Sequence, residues 1–66
     1  MSNEDLLDVA SAARRLGLRR STIYALTHRK AIKFVKLGRS VRFRPADLDA
    51  YVEAHVVEPE EVRIDV

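Results

Sequence analysis

Apolar positions in the first third of the chain repeat at helical spacing. Val9, Ala12, Ala13 and Leu16 fall at i, i+3, i+4 and i+7, which puts them on one face of a helix. Asp8 stands directly before this run. There its carboxylate can accept from the amides two and three residues on, and it complements the helix dipole. Leu7 and Ala12 hold the N′ and N4 positions of a hydrophobic staple, and Gly17 supplies the C′ residue that ends the helix. Leu6 and Leu7 form an apolar pair ahead of it, expected at one edge of a small sheet. Leu18, apolar within a turn, is expected to plug between two helices. A second helix is predicted from about Arg20 to Arg29, with Ile23, Leu26 and Thr27 toward the core. Ser21, Tyr24, Ala25 and His28 lie on its opposite side.

The period then changes to two. Val35 and Leu37 alternate with Lys36, and Val41 and Phe43 alternate with Arg42. Gly38, Arg39 and Ser40 between them read as a three-residue hairpin loop. In that register Leu37 faces Val41, Val35 faces Phe43 and Lys36 sits opposite Arg42. Like charges in that position are destabilising unless an anion lies beside them. Pro45 suits the first position of a third helix and Asp47 its first turn. Leu48, Tyr51, Val52 and His55 repeat at i, i+3, i+4 and i+7, so His55 is expected to pack in the core. Pro59 stops any helix. Residues 1–5 read as a flexible end, 6–55 as the folded domain and 56–66 as an acidic tail. Val62, Ile64 and Val66 alternate in that tail, which reads either as a docking strand or as a solvating end.

Charge adds what periodicity does not. Eleven of the twelve Lys and Arg residues lie between Arg14 and Arg44, a stretch without Asp or Glu. Such a run repels itself in water, and an anionic partner relieves the repulsion. The net charge of +2 conceals this segregation, because the acids sit at the two ends. A folded, basic surface of this kind reads first as a nucleic-acid-binding module.

The remaining composition narrows the classes. Sixty-six residues make one domain with a small core and marginal stability. There are no cysteines, hence no disulfide framework and no Cys/His spacing for a structural zinc. No apolar run is long enough for a membrane span, and the start carries no signal-peptide pattern. A soluble protein of the cytoplasm is expected, with no cofactor, no metal and no small-molecule ligand. No Gly-rich phosphate loop is present, and the carboxylates avoid the basic region, so no acid/base pair can be placed there. The chain is not expected to be an enzyme.

Two short helices joined by a tight turn form a helix-turn-helix arrangement. With a basic hairpin and a Pro-opened helix after it, the expected fold is a small α+β winged helix-turn-helix. It has three short helices and a two-stranded wing between helices 2 and 3. More closely, the chain resembles the excisionase family of DNA-binding domains, relatives of the MerR type. The resemblance rests on Leu7-Asp8-Val9 leading into Ala12-Ala13-x-x-Leu16-Gly17-Leu18, and on Arg20-Ser21-Thr22-Ile23-Tyr24. It continues through Val35-Lys36-Leu37-Gly38-Arg39-Ser40-Val41-Arg42-Phe43 and Arg44-Pro45-x-Asp47-Leu48-x-x-Tyr51. Three positions depart from the family pattern. Arg19 stands where Ser or Thr usually caps the second helix, Lys30 and Ala31 where a Gly usually ends it, and Thr27 where an aliphatic residue is usual. The second helix is therefore expected to be weakly closed at both ends.

The resemblance implies a second helix in the major groove and a wing against the backbone or minor groove. Family members of this length, lacking the long dimerisation helix of MerR regulators, are often phage or plasmid excisionases. These recombination directionality factors bind side by side, bend attachment-site DNA and turn an integrase, a tyrosine or serine recombinase, toward excision. Double-stranded DNA, an integrase and neighbouring protomers are thus the implied partners.

The recognition-helix candidates are Arg19, Arg20, Ser21, Thr22, Tyr24, Ala25, His28 and Arg29. Helix-start amides and side chains there can hold a phosphate while others reach base edges. The bland readings are that Ser21 and Thr22 merely cap the helix, Tyr24 packs half-buried and His28 is solvated. The wing candidates are Lys36, Arg39, Ser40 and Arg42, for phosphate or narrow minor-groove contact. Arg14 and Arg15 can meet the backbone from the first helix or be plain solvated charges. The alternatives in function are a small transcriptional regulator with the same domain, or a protein-interaction adaptor such as an antitoxin-like or packaging subunit.

Overall fold

Asp8 starts the first helix as its sequence position predicts. Its side chain accepts from the Ser11 amide at 2.8 Å, and the backbone turns helical from the next residue to form α1, Val9–Leu16. At the other end Gly17 takes φ 69°. The Leu18 amide donates to the Ala13 carbonyl at 2.9 Å and the Gly17 amide to Arg14 at 3.2 Å. Together these bonds make a Schellman closure, which a residue without Cβ adopts with least strain. The computed structural model describes residues 5–59. Within them the order is α1, α2 (Arg20–His28), β1 (Val35–Leu37), β2 (Ser40–Arg42) and α3 (Pro45–Ala54). This is the small winged helix-turn-helix expected from the sequence.

The second helix begins at Arg19 with no side-chain cap, as the departure at that position implies. Its C-terminus is better closed than expected. Lys30 enters the left-handed region at φ 57°. The Ala31 amide donates to Leu26 at 2.8 Å and the Lys30 amide to Thr27 at 3.0 Å. The same closure that Gly17 gives α1 is therefore made on a lysine, at a conformational cost.

Val9, Ala12 and Ala13 of α1, Ile23 and Leu26 of α2, Ile32, Phe43 and Leu48 form one buried cluster. Phe43, Ile23 and Leu48 are fully enclosed, and burial of each contributes on the order of 1.5–3 kcal/mol. Leu7 packs against this cluster and exchanges both backbone hydrogen bonds with Phe43 at 2.8 Å. The pair forms an isolated one-residue bridge next to the hairpin, where Leu6 and Leu7 are expected at a sheet edge. Pro45 occupies the first turn of α3, and the Arg44 Nε donates to Asp47 Oδ2 at 2.6 Å.

Four expectations are corrected. The wing pairs Val35 with Arg42, Lys36 with Val41 and Leu37 with Ser40. Its loop is two residues, Gly38 and Arg39, rather than three. Gly38 at φ 62° takes the first loop position, where a two-residue turn of the II′ kind requires positive φ. Lys36 therefore does not oppose Arg42, and no like-charge cross-strand pair exists there. Leu18 stays outside the core cluster at 37% exposure, because the Schellman turn directs the chain around the helix junction. Thr27 is only half-buried, and its hydroxyl donates to the Tyr24 carbonyl at 2.9 Å. His55 is exposed rather than packed, and Val52 is 47% exposed, because α3 outruns the small core after Leu48 and Tyr51. The His55 ring instead stacks on Tyr51 at 4.1 Å and lies 2.7 Å from the Tyr51 carbonyl through Nδ1. The alternation over Val62, Ile64 and Val66 lies outside the described residues, as do Met1 to Glu4.

Candidate nucleic-acid interface

The outer side of α2 and the near side of the hairpin enclose two open grooves. The first, about 360 Å³, runs between the start of α1, the start of α2 and strand β2. Arg20 and Tyr24 line it from α2, Asp8, Val9 and Ala10 from α1, and Arg39, Ser40, Val41 and Arg42 from the wing. The second, about 610 Å³, lies along α2. Ser21, Tyr24, Ala25, Thr27 and His28 line it on one side and Phe34, Lys36 and Val41 on the other. Tyr24 and Val41 border both grooves and so form the divide between them.

Local structure explains this arrangement. Ile23 and Leu26 are held in the core, so helical geometry turns Ser21, Tyr24, Ala25 and His28 outward. The hairpin register sets the other wall. Lys36 and Val41 are partners across the strands and share a face with Phe34 and Phe43, two residues further along each strand. Arg39 stands at the exposed tip. Arg42 is half-buried, with its Nη1 donating to the Val41 carbonyl at 2.8 Å.

The structure thus brings nine candidates to the two grooves: Arg20, Ser21, Tyr24, Ala25 and His28 from α2, and Lys36, Arg39, Ser40 and Arg42 from the wing. Ser21 and Thr22 do not cap α2, since its cap residue is Arg19 and no side chain closes that end. Its first amides remain open to an anion. Tyr24 is 56% exposed, so it is not a half-buried packing residue. Arg19, Thr22 and Arg29 are exposed at the ends of α2 but line neither groove. Arg14 donates to Ser11 Oγ at 3.2 Å. Arg15 reaches across to α3, where its Nη2 meets Asp49 Oδ1 at 3.1 Å.

Sequence reasoning missed several contributors, among them Asp8, Val41, Phe34 and Thr27. Asp8 was read only as a cap, yet it also lines the first groove beside Arg20 and Arg42. The Ser11 amide, and then its hydroxyl, hold the Asp8 carboxyl below the ordinary aspartate range, with Arg42 and Arg14 adding to the effect. Phe34 and Thr27 were not placed at the site at all. Phe34 shares a parity with Lys36 as Val41 does with Phe43, but which parity faces inward is set by the hairpin register.

Among the described residues no cluster of His, Cys, Asp and Glu could hold a metal ion, and no helix is long and apolar enough to cross a membrane. In comparisons with known proteins, a family model described as a helix-turn-helix domain matches residues 6–56. No curated protein and no solved structure matches the chain.

Proposed function

The chain belongs to the helix-turn-helix domain family, and from that premise we propose that it is a sequence-specific, non-catalytic binder of double-stranded DNA. The observation that carries this reading is the first groove. Three arginines, Arg20, Arg39 and Arg42, line it from both the helix and the wing and outnumber the single acid there, Asp8. A duplex phosphate strand is the ligand that such a constellation suits. In this reading α2 lies in the major groove, with Arg20 and Ser21 at base edges. The wing rests on the backbone or the minor groove through Arg39, Ser40, Arg42 and Lys36. Arg19, Thr22 and Arg29 add contacts from the ends of α2. Arg14 and Arg15 approach the backbone from α1, Arg15 after release from Asp49.

The finer role proposed is that of an excisionase, a MerR-like recombination directionality factor acting in the cytoplasm. It binds neighbouring sites, bends the DNA and turns an integrase toward excision. The ordered match of helix, wing and third-helix motifs to that family supports this role. The acidic tail supports contact with a basic protein partner rather than with DNA. Footprinting on the flanking genomic DNA tests the role: an array beside a recombination site fits the excisionase, and an operator over a promoter fits a regulator.

Binding itself is tested by salt titration. With four to six phosphate contacts the log–log slope of affinity against salt should be about −4 to −5. A slope near zero removes DNA binding from consideration. Arg20→Ala should cost about 1–3 kcal/mol on the cognate site and relax specificity, whereas Arg39→Ala should weaken all duplexes alike and lower the slope by about 1.

A further inference from the structure

The two grooves differ in chemistry, and the difference reaches beyond general DNA binding. The first presents guanidinium groups. The second is lined by Tyr24 and Phe34, by Val41 and Ala25, and by Ser21 and Thr27. Lys36 and His28 stand among these walls, and no Asp or Glu lines this groove. Phe34 and Val41 are partly buried against the core, so this wall is fixed by packing rather than free to turn away. Ala25 is exposed at the middle of the outward face of α2, the part of the helix that enters deepest if α2 lies in the major groove. A largely apolar floor with Lys36 beside it suits a part of DNA that is itself apolar.

We propose that the second groove reads thymine, through contact of the C5-methyl group with Ala25 and the neighbouring Tyr24 and Phe34 rings. The inference rests on the DNA-binding reading above and assigns the basis of its specificity. The major groove offers one apolar feature on a base edge, the thymine methyl, and alanine and aromatic side chains are suited to meet it. Lys36 and His28 are placed to hold the flanking phosphates. In this division of labour the first groove supplies affinity and register, and the second distinguishes a T·A pair from the other three. Deoxyribose is the other apolar part of DNA that such a floor can meet, and it carries no sequence information.

The test separates these sources. Duplexes selected from a random pool by the full chain are resynthesised with each thymine in turn replaced by deoxyuridine, which removes the methyl and nothing else. One or two positions should lose about fourfold in affinity, the equivalent of burying one methyl group. In Ala25→Ser, with unchanged helical circular dichroism, the loss at one of those positions should fall below twofold. If every deoxyuridine duplex binds as tightly as its parent, the floor does not read the methyl, while the DNA-binding reading stands. If a penalty appears but is unchanged in Ala25→Ser, thymine is read elsewhere on the molecule and the proposal fails. If the full chain binds no duplex, the DNA-binding reading and this proposal fail together.

Discussion

The first two helices are nearly equal in length and pack on each other, yet they are finished differently. At α1 both ends are closed with residues suited to the task, the Asp8 carboxylate on the Ser11 amide and Gly17 in the left-handed region. At α2 neither end is. Arg19 supplies no cap, and Lys30 makes with a side chain the turn that Gly17 makes without one. The contrast follows position rather than accident. The start of α1 is also acidic, and the low pKa of Asp8 makes its cap effective from about pH 4 upward. That contribution is lost as pH falls through the lowered folded value. A cap of the same kind on α2 would add a second carboxylate beside Arg20, in the groove that Asp8 already lines and where the proposed phosphate belongs. α1 is closed for stability, and α2, the helix proposed to read DNA, keeps a cationic, uncapped start.

Three substitutions break or sharpen this comparison. The largest effect is expected at Gly17. A β-branched residue is strained at φ 69°, although no atom lies within 4 Å of an added Cβ. Gly17→Val should therefore cost about 2 kcal/mol in urea denaturation, with DNA affinity per folded molecule unchanged. Lys30→Gly should act in the opposite direction and raise stability by about 1 kcal/mol, since it relieves the left-handed lysine. If it left the midpoint unmoved, Lys30 would not be strained. The smallest stability change is expected for Arg19→Ser, a gain of about 0.5 kcal/mol from the new cap. The same variant should bind duplex DNA more weakly at low salt. An Arg19→Ser protein that is both more stable and equally tight on DNA would show that the bare start of α2 serves no purpose in binding.

The fold was legible because its signals were local and mutually consistent. Asp8, Gly17, Gly38 and Pro45 marked the ends of elements, and the buried stripe of α1 followed its spacing. The hairpin register was not legible by the same means. Apolar side chains around β1 fall on both parities: Phe34, just before the strand, competes with Val35 and Leu37 for the inward face. The two-residue turn at Gly38 decided in favour of Phe34 and Val41, which a loop one residue longer would have reversed. The third helix was over-read for a related reason. Its periodicity runs on to His55, but a core of this size ends at Leu48 and Tyr51, and no pattern along one segment reveals how far the opposite surface extends. The basic side chains of the site were identified from charge, from the spacing of the second helix and hairpin, and from the family resemblance. The apolar floor between them depended on register and therefore became visible only in three dimensions.

The rung between Leu7 and Phe43 has a consequence for how the protein comes together. Much of the packing joins neighbours in sequence, α1 with α2 and β1 with β2, while α1 against α3, the Arg15–Asp49 ion pair and this rung reach across the chain. The rung closes a loop that contains both helices and the whole wing, and closure of a flexible loop of that size costs about 3 kcal/mol in chain entropy. Folding should therefore proceed through a helix pair and a hairpin that form early and separately, with the latch closing last and completing the enclosure of Phe43. The amides of Leu7 and Phe43 then become kinetic reporters of the whole domain. Their exchange with solvent deuterium tracks global opening, whereas exchange at the exposed hairpin tip tracks local breathing. In a chain so small, this pair of hydrogen bonds and the phenyl ring beneath them share with the packing of α1 on α3 the work of joining the two ends of the domain.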